Sequence, residues 1–125
     1  MDILSGIDLV EIDRLVNLNP RIFSRFISRV FTPQEREEAC SRFEYYAGHF
    51  AAKEAVTKVL RTGIGEIHWQ HIEILRGLEG EPILKLYGPA EFQAKKMCIS
   101  SWSISISHSK TQAIAVAVAL IESSP

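Results

Sequence analysis

The sequence predicts an α+β fold in which a long, alanine-rich helix packs on an antiparallel sheet. In the C-terminal segment 102–120, large apolar residues alternate first with serine and then with alanine, which is the period of β-strands. The segment 44–61 has helical periodicity and carries an alanine stripe at Ala47, Ala51 and Ala55. Because strands and helices do not alternate regularly along the chain, an α+β arrangement is favoured over parallel βαβ units.

The N-terminal residues 3–10 have the apolar content of a strand, and Asp8 lies inside it. The same region fits a second interpretation, in which Asp8 caps the start of a helix and Glu11 occupies the third helical position. The sequence leaves both interpretations open.

The middle of the chain carries clear helix signals. Residues 32–35 (TPQE) have the signature of a capping box with proline at the first helical position, which predicts a helix over about 33–42. The long helix 44–61 is predicted to end near Gly63, because glycine is favoured just after a helix. Two short strands at 71–75 and 83–87, a helix at 89–97 and the final hairpin complete the predicted order.

The two faces of the final hairpin are expected to differ in side-chain size. One face would carry the large residues, with Trp102, Ile104 and Ile106 beside Ile114 and Val116, and the other would be serine and alanine throughout. Small side chains allow another element to approach closely. We therefore expect the small face to pack against the alanine stripe of the long helix.

Length and composition restrict the class of protein. The 125-residue chain is 46 % hydrophobic with a net charge of −1, which suits one domain over 1–125 and argues against a nucleic-acid binder. Cys40 and Cys98 lack metal-site spacing and are expected to be small buried residues. The N-terminus lacks the basic region of a signal peptide, and no apolar run approaches the roughly 20 residues of a membrane span. We therefore expect a soluble, cytoplasmic protein that binds neither membrane nor nucleic acid.

Charged residues inside the long helix are the first candidates for chemistry. Glu54 and Lys58 are four residues apart, so they are neighbours on one helix face. In an ordinary helix this spacing indicates a surface ion pair worth about 0.3–0.5 kcal/mol. Asp8, in an otherwise apolar run, and His108, before a tight turn, are further candidates. None of these signals is specific alone.

Taken together, three segments resemble one family. Residues 6–12 (GIDLVEI), residues 50–55 (FAAKEA) with Lys58, and residues 105–108 (SISH) resemble holo-[acyl carrier protein] synthase, the small bacterial type of 4′-phosphopantetheinyl transferase. Shorter segments at 62–65, 72–74 and 80–82 fall where the family has similar ones. The resemblance covers about residues 6–118.

The resemblance implies an enzyme that transfers 4′-phosphopantetheine from coenzyme A to a serine hydroxyl of apo-acyl carrier protein. The reaction would release adenosine 3′,5′-bisphosphate and support fatty acid biosynthesis. It implies Mg²⁺ held by Asp8 and Glu54, and Mg²⁺ in proteins takes one or two carboxylates plus phosphate oxygens and water. Lys58, which would stabilise the departing phosphate, completes the implied catalytic set.

The resemblance also implies coenzyme contacts and an assembly. The implied coenzyme-binding residues are Lys53, Lys58, Gly63, His108 and Lys110. Family members are homotrimers with sites between subunits. The large-residue face of the final hairpin is the candidate for the trimer interior, and an ordinary core within one chain is the other interpretation of that face. Two positions depart from the family pattern: His49 stands where relatives usually have arginine, and Arg61 where they usually have glycine. We interpret this pair as a positive charge relocated near the coenzyme phosphates.

Residues 14–34 contain four arginines and no acidic residue. On a helix, Arg21, Arg25 and Arg29 would share one face, where like charges repel slightly. A solvated surface helix is one interpretation, and a surface for an acidic partner is the other. Acyl carrier proteins are acidic, so the resemblance implies a docking surface. Its residues would be Arg14, Arg21, Arg25, Phe26 and Arg29.

Two functions of other classes stay open at this point. The first is a nucleotide-binding or regulatory module that keeps the metal pair without catalysing transfer, although Lys58 argues against it. The second is an interaction domain that uses the arginines, with Glu54 and Lys58 as a surface pair.

Overall fold

The computed structural model describes residues 1–61 and 67–122 and confirms the α+β class. The elements, in chain order, are β1 (Asp2–Glu11), α1 (Ile12–Val16), α2 (Pro20–Val30), α3 (Pro33–Ala39), α4 (Phe43–Leu60), a 3₁₀ turn (Trp69–His71), β2 (Ile72–Arg76), β3 (Pro82–Leu86), α5 (Gly88–Lys96), β4 (Ile99–His108) and β5 (Gln112–Ile121). An antiparallel sheet has the order β1-β5-β4, and β2 and β3 form a separate antiparallel pair. The long helix α4 packs on the three-stranded sheet as predicted.

The N-terminal segment is a strand that includes Asp8. Asp8 lies opposite Ala115 in the β1–β5 ladder, and the strand continues to Glu11, which precedes α1. The interpretation of Asp8 as a helix cap is therefore wrong. Ladder pairing with the full length of β5 holds this segment extended.

The capping box at the start of α3 is confirmed. The Thr32 hydroxyl accepts from the Glu35 backbone N–H at 3.2 Å, and the Glu35 carboxylate accepts from the Thr32 backbone N–H at 2.9 Å. The helix ends at Ala39, earlier than predicted, because Cys40 (φ 48°) and Ser41 (φ 61°) adopt left-handed backbone conformations. Gly63, the predicted end signal for α4, lies outside the described residues.

The predicted faces of the final hairpin are wrong. The register places Ile104 opposite Ala117 and Ile106 opposite Ala115, so large and small residues share each face. Residues that are opposite each other in neighbouring strands lie on the same side of the sheet. The length of the turn after His108 therefore decides whether the large residues of β4 share a side with the large residues or with the alanines of β5. The alanines of β5 are buried against α4, which confirms the close packing of small residues, but Ile104 and Ile106 lie on that same side.

The other side of the three-stranded sheet is apolar and exposed. Several of its large residues are open to solvent, namely Ile3 (65 % exposed), Ile7 (55 %), Leu9 (49 %) and Ile114 (38 %). Serines of β4 lie beside them, since Ser107 is opposite Ile114 and Ser105 opposite Val116. This outer sheet face is packed against no described element of the chain.

The structure also bears on two further expectations, which concern the cysteines and a membrane span. Cys40 and Cys98 are both exposed rather than buried, and each lies one or two residues past the end of a helix. None of the described helices is long and apolar enough to cross a membrane.

Gly6 determines how closely α4 approaches β1. An ideal Cβ atom at this position would lie 2.2 Å from the carbonyl oxygen of Ala55, which no side chain could occupy. The missing side chain lets the helix backbone rest directly on the strand. Asp8, two residues further along β1 and on the same side, is therefore held against α4.

Candidate functional site

The contact between β1 and α4 brings together three of the predicted site residues. Asp8 projects from β1, and Glu54 and Lys58 lie one helical turn apart on α4. The Lys58 ammonium donates to the Ile7 carbonyl oxygen at 2.6 Å and to Asp8 Oδ1 at 3.3 Å. The side chain of Lys58 is 51 % exposed and that of Asp8 is 23 % exposed, so solutes can reach this ion pair.

Glu54 lies close to Asp8 and is half-buried. Burial and the negative charge of Asp8 raise the pKa of Glu54, while Lys58 lowers it. Among the described residues, Lys58 forms its ion pair with Asp8 and not with Glu54. The interpretation of Glu54 and Lys58 as an ordinary i,i+4 surface pair is therefore wrong. The two carboxylates repel each other, and a cation between them would relieve that repulsion.

The donor set suits Mg²⁺. Asp8 and Glu54 supply hard carboxylate oxygens, which Mg²⁺ prefers, and it retains water and phosphate oxygens in its remaining positions. No group of three or more histidine, cysteine or acidic side chains suited to a metal occurs in residues 1–61 and 67–122. A site of two carboxylates fits an ion that shares its coordination with a phosphorylated substrate.

A groove with a volume of about 390 Å³ opens beside the two carboxylates. It is lined by Asp8, Leu9, Val10, Arg14, Leu15, Leu18, Phe26, Phe50 and Glu54. The walls are apolar apart from the two acidic residues and Arg14. Phe26 of α2 packs edge-on against Phe50 of α4, with ring centroids 5.1 Å apart, so α2 is attached directly to the wall of this groove.

Of the predicted docking residues, Arg14 and Phe26 line this groove, whereas Arg29 lines a different cavity, with Thr32 and His68. Arg21, Arg25 and Arg29 are all exposed along α2, and Arg14 is exposed on α1. Phe26, which lies between Arg25 and Arg29 in the chain, is half-buried and lines the groove. Phe26 therefore connects the groove to α2, the helix that carries three of the four predicted docking arginines.

Lys53 is not in this site, and its predicted contact with the coenzyme is corrected. Its side chain is fully buried, and the ammonium donates to Glu35 Oε1 at 2.8 Å and to the carbonyl oxygens of Trp69 at 3.1 Å and Ile72 at 2.5 Å. These three acceptors use all three protons of the ammonium group. Lys53 connects α4 to α3 and β2, on a different face of the helix from Lys58.

His108 lies in a second cavity, of about 290 Å³. The cavity is lined by Arg42, Glu44, Tyr45, His49, Arg76, Gly80, Pro82, Ile104, Ser105, Ile106 and His108. None of these residues lines the carboxylate groove. Lys110 is exposed in the turn after His108 and forms no ion pair within the described part of the chain. Within one chain, the structure thus separates His108 from Asp8 and Glu54.

Sequence reasoning missed the arginines and the tyrosine of the second cavity. Arg42 precedes α4 and Arg76 ends β2, while Tyr45 lies in the first turn of α4. Arg42 and Tyr45 are three residues apart in the chain, but no sequence motif unites them with the distant Arg76. The sequence signal available was modest: an arginine at a strand end, followed by a glycine-containing turn.

The two departures from the family pattern have different environments. His49 is 6 % exposed, and burial lowers its pKa to about 4, so it carries no charge at neutral pH. Arg61 follows α4 at a left-handed position and is exposed. Positive charge is therefore absent at position 49 and present at position 61. Its proximity to coenzyme phosphates remains a prediction.

Comparison with known proteins agrees with this geometry. The family model described as the 4′-phosphopantetheinyl transferase superfamily matches residues 5–118. The holo-[acyl-carrier-protein] synthase of Natranaerobius thermophilus is 39 % identical over 116 residues, covering 90 % of this chain and 93 % of the relative. That of Caldicellulosiruptor bescii is 44 % identical over 117 residues, covering 91 % of this chain and 94 % of the relative.

Solved structures agree as well. The Helicobacter pylori holo-[acyl-carrier-protein] synthase in complex with coenzyme A superposes with a TM-score of 0.84 at 33 % identity, covering 94 % of this chain and all (100 %) of that one. A Chronobacterium ammoniagenes synthase–coenzyme A complex gives a TM-score of 0.86 at 28 % identity, covering 98 % and 100 %. The matches span nearly the whole chain and include the β1, α4 and β4 segments that carry the candidate residues. This chain therefore belongs to the holo-[acyl-carrier-protein] synthase family of the 4′-phosphopantetheinyl transferase superfamily.

Proposed function

We propose that this enzyme transfers 4′-phosphopantetheine from coenzyme A to a serine hydroxyl of apo-acyl carrier protein, in support of fatty acid biosynthesis. The observation that carries the proposal is the meeting of Asp8, Glu54 and Lys58 at the mouth of a groove that also holds Arg14 and Phe26. Relatives named for this reaction, and a neighbouring structure in complex with coenzyme A, support it. Adenosine 3′,5′-bisphosphate would be the second product.

Asp8 and Glu54 would hold Mg²⁺. When bound, the ion would neutralise negative charge on the diphosphate of coenzyme A. Lys58 is exposed beside Asp8, so its ammonium is available to the phosphate oxygen that gains charge as the P–O–P linkage of the coenzyme A diphosphate breaks and the serine oxygen bonds to phosphorus. The apolar walls of the groove would exclude water around the reacting groups.

Arg14, Arg21, Arg25, Phe26 and Arg29 would receive the carrier protein. Their positive charge favours an acidic partner and speeds its association. Because Arg14 and Phe26 also line the carboxylate groove, a carrier docked on α2 could direct its serine toward Asp8 and Glu54.

We further propose a homotrimer with sites between subunits. The separation of His108 from the carboxylate pair supports it, because the second cavity of one copy could then complete the carboxylate site of another. The interior is reassigned to the outer sheet face, where Ile3, Ile7, Leu9 and Ile114 are exposed. Light scattering at micromolar concentration should give three times the 14.1 kDa chain mass, and a monomer mass would contradict the assembly.

The decisive experiment incubates the protein with apo-acyl carrier protein, coenzyme A and Mg²⁺ and then weighs the carrier by mass spectrometry. The expected result is a gain equal to one 4′-phosphopantetheine group, which requires both coenzyme A and Mg²⁺. An unmodified carrier, with Mg²⁺-dependent binding of coenzyme A retained, would favour the non-catalytic nucleotide-binding module instead. An absence of coenzyme A binding with retained carrier binding would favour the interaction domain.

A further inference from the structure

The second cavity is lined by two arginines, Arg42 and Arg76, and by one acidic residue, Glu44. The guanidinium carbons of Arg42 and Arg76 each lie 5.7 Å from the centroid of the Tyr45 ring. Neither arginine takes part in any of the ion pairs formed by residues 1–61 and 67–122. Arg42 comes from the start of α4 and Arg76 from the end of β2, so the fold brings these like charges to one ring.

Glu38 fixes the backbone around these arginines. Its carboxylate accepts a hydrogen bond from the Tyr45 hydroxyl at 3.1 Å and from the Arg76 backbone N–H at 3.0 and 3.1 Å. Its backbone carbonyl, with that of Ala39, accepts from the Arg42 guanidinium at 3.3 and 2.9 Å. The Glu38 carboxylate thus bonds a neutral hydroxyl and a backbone group, and among the described residues it forms an ion pair with neither guanidinium group.

Tyr45 is held rigidly between its neighbours. The side chain is 3 % exposed, and the His49 ring stacks on it with centroids 3.7 Å apart and planes 11° apart. Burial and the nearby Glu38 carboxylate raise the pKa of Tyr45, so its hydroxyl remains a donor to Glu38. An aromatic face close to two guanidinium groups favours both through cation–π attraction.

Coenzyme A carries a phosphate monoester on its ribose in addition to its diphosphate. If the diphosphate is bound at Asp8 and Glu54, as in the proposed function on which this inference rests, the monoester needs a cationic site of its own. We propose that Glu38 and Tyr45 are positioning residues, which hold Arg42 and Arg76 for the ribose phosphate of coenzyme A. Two fixed guanidinium groups match the geometry of a phosphate better than mobile lysines would.

The test compares Tyr45→Phe and Glu38→Gln with the unchanged protein, using coenzyme A and dephospho-coenzyme A as donors. Each variant should raise KM for coenzyme A about five- to tenfold, because it loosens groups that bind a charged phosphate. With dephospho-coenzyme A, and for the carrier protein, KM should match that of the unchanged protein. Tyr46→Phe is the control, because this neighbouring tyrosine is also buried (2 % exposed) and its hydroxyl donates to no described residue.

Two outcomes would overturn the positioning role. One is an equal rise in KM for both donors, and the other is an effect of Tyr46→Phe as large as that of Tyr45→Phe. If the unchanged protein shows no turnover, only the proposed function fails, and calorimetry still tests the inference. Adenosine 3′,5′-bisphosphate should then bind more tightly than 5′-AMP, and both variants should lose this preference; retention of the preference would refute the inference.

Discussion

Two lysines of α4 form ion pairs of opposite character. Lys53 pairs with Glu35 at 2.8 Å with both side chains fully buried, whereas Lys58 pairs with Asp8 at 3.3 Å with both side chains partly exposed. The buried pair connects three elements, and its charges have no access to a ligand. The exposed pair lies beside a second carboxylate, and its charges can reach a substrate. Residue type alone therefore does not separate a structural lysine from a functional one.

Burial acts against both members of the buried pair. It raises the pKa of Glu35 and lowers the pKa of Lys53, and the attraction between them only partly offsets these shifts. Removing both charged groups together could therefore cost little, whereas removing one leaves the other buried without its partner. The comparison predicts large stability effects on one face of α4 and large activity effects on the other.

The largest expected effect is the loss of Lys53. Lys53→Met should lower the free energy of unfolding by about 3–5 kcal/mol, because Glu35 loses its buried partner. Urea unfolding measures this change. Lys58→Met is the matched control and should cost less than about 1 kcal/mol, because its pair is exposed. Equal losses of unfolding free energy in the two variants would contradict the distinction between a structural buried pair and an exposed pair.

Glu54→Gln should reduce turnover about 100-fold at ordinary Mg²⁺ while leaving stability nearly unchanged, because it removes a charged metal ligand and keeps the size of the side chain. Steady-state kinetics over a Mg²⁺ titration should show partial recovery as the concentration rises. The defect would then lie in metal affinity.

Lys58→Ala sharpens the same experiment. Its turnover should also fall, but Mg²⁺ should not restore it, because its proposed role is charge stabilisation at the leaving oxygen. Wild-type turnover in both Glu54→Gln and Lys58→Ala would refute the assignment of these two residues to the catalytic site.

His49, on the buried side of α4, should make the stability of the protein depend on pH. Its pKa is lowered from 6.5 to about 4 by burial, so the unfolded chain binds a proton at this site over that pH range and the folded chain does not. Stability should therefore be lost as pH falls through this window, by about 2 kcal/mol at pH 5. Urea unfolding at pH 7 and pH 5 should show a smaller pH dependence for His49→Gln. An unchanged pH dependence would mean that His49 titrates normally in the folded protein.

The smallest effect is expected at the docking arginines. Arg25→Glu should raise KM for the carrier protein about tenfold, because it replaces attraction to an acidic partner by repulsion. Binding of coenzyme A, measured by calorimetry, should stay nearly constant. Equal losses for both substrates would place Arg25 in the coenzyme site or in the structural framework instead.

Local periodicity was sufficient for the types of most elements, although it left the segment 3–10 open between a strand and a helix start. The family resemblance paired Asp8 with Glu54, and the structure brings the two residues to one groove. The sequence also places Lys53 and Lys58 about 140° apart around a helix, but it does not say which direction leads to the core. That direction depends on Glu35 and Ile72, which only the folded chain brings to Lys53.

The faces of the final hairpin were not predictable for a related reason. Each strand alternates correctly in sequence, yet the pairing of Ile104 with Ala117 depends on the number of residues in the intervening turn. The second cavity was missed because the hydrogen bond from the Arg76 backbone to Glu38 brings Arg76 to Arg42 and Tyr45, and no local pattern reveals a contact between such distant segments.

Gly6 has a consequence for anyone who would transplant this chemistry to another protein. A designer who copied Asp8, Glu54 and Lys58 onto a different helix and strand would omit the residue that sets the spacing between them. With alanine at this position, the distance of 2.2 Å between its Cβ and the Ala55 carbonyl would have to widen to the 3.4 Å of ordinary contact. The helix would move away from the strand, and the carboxylates would separate with it. A transplanted site would therefore need the close backbone spacing between β1 and α4 as well as the three charged residues.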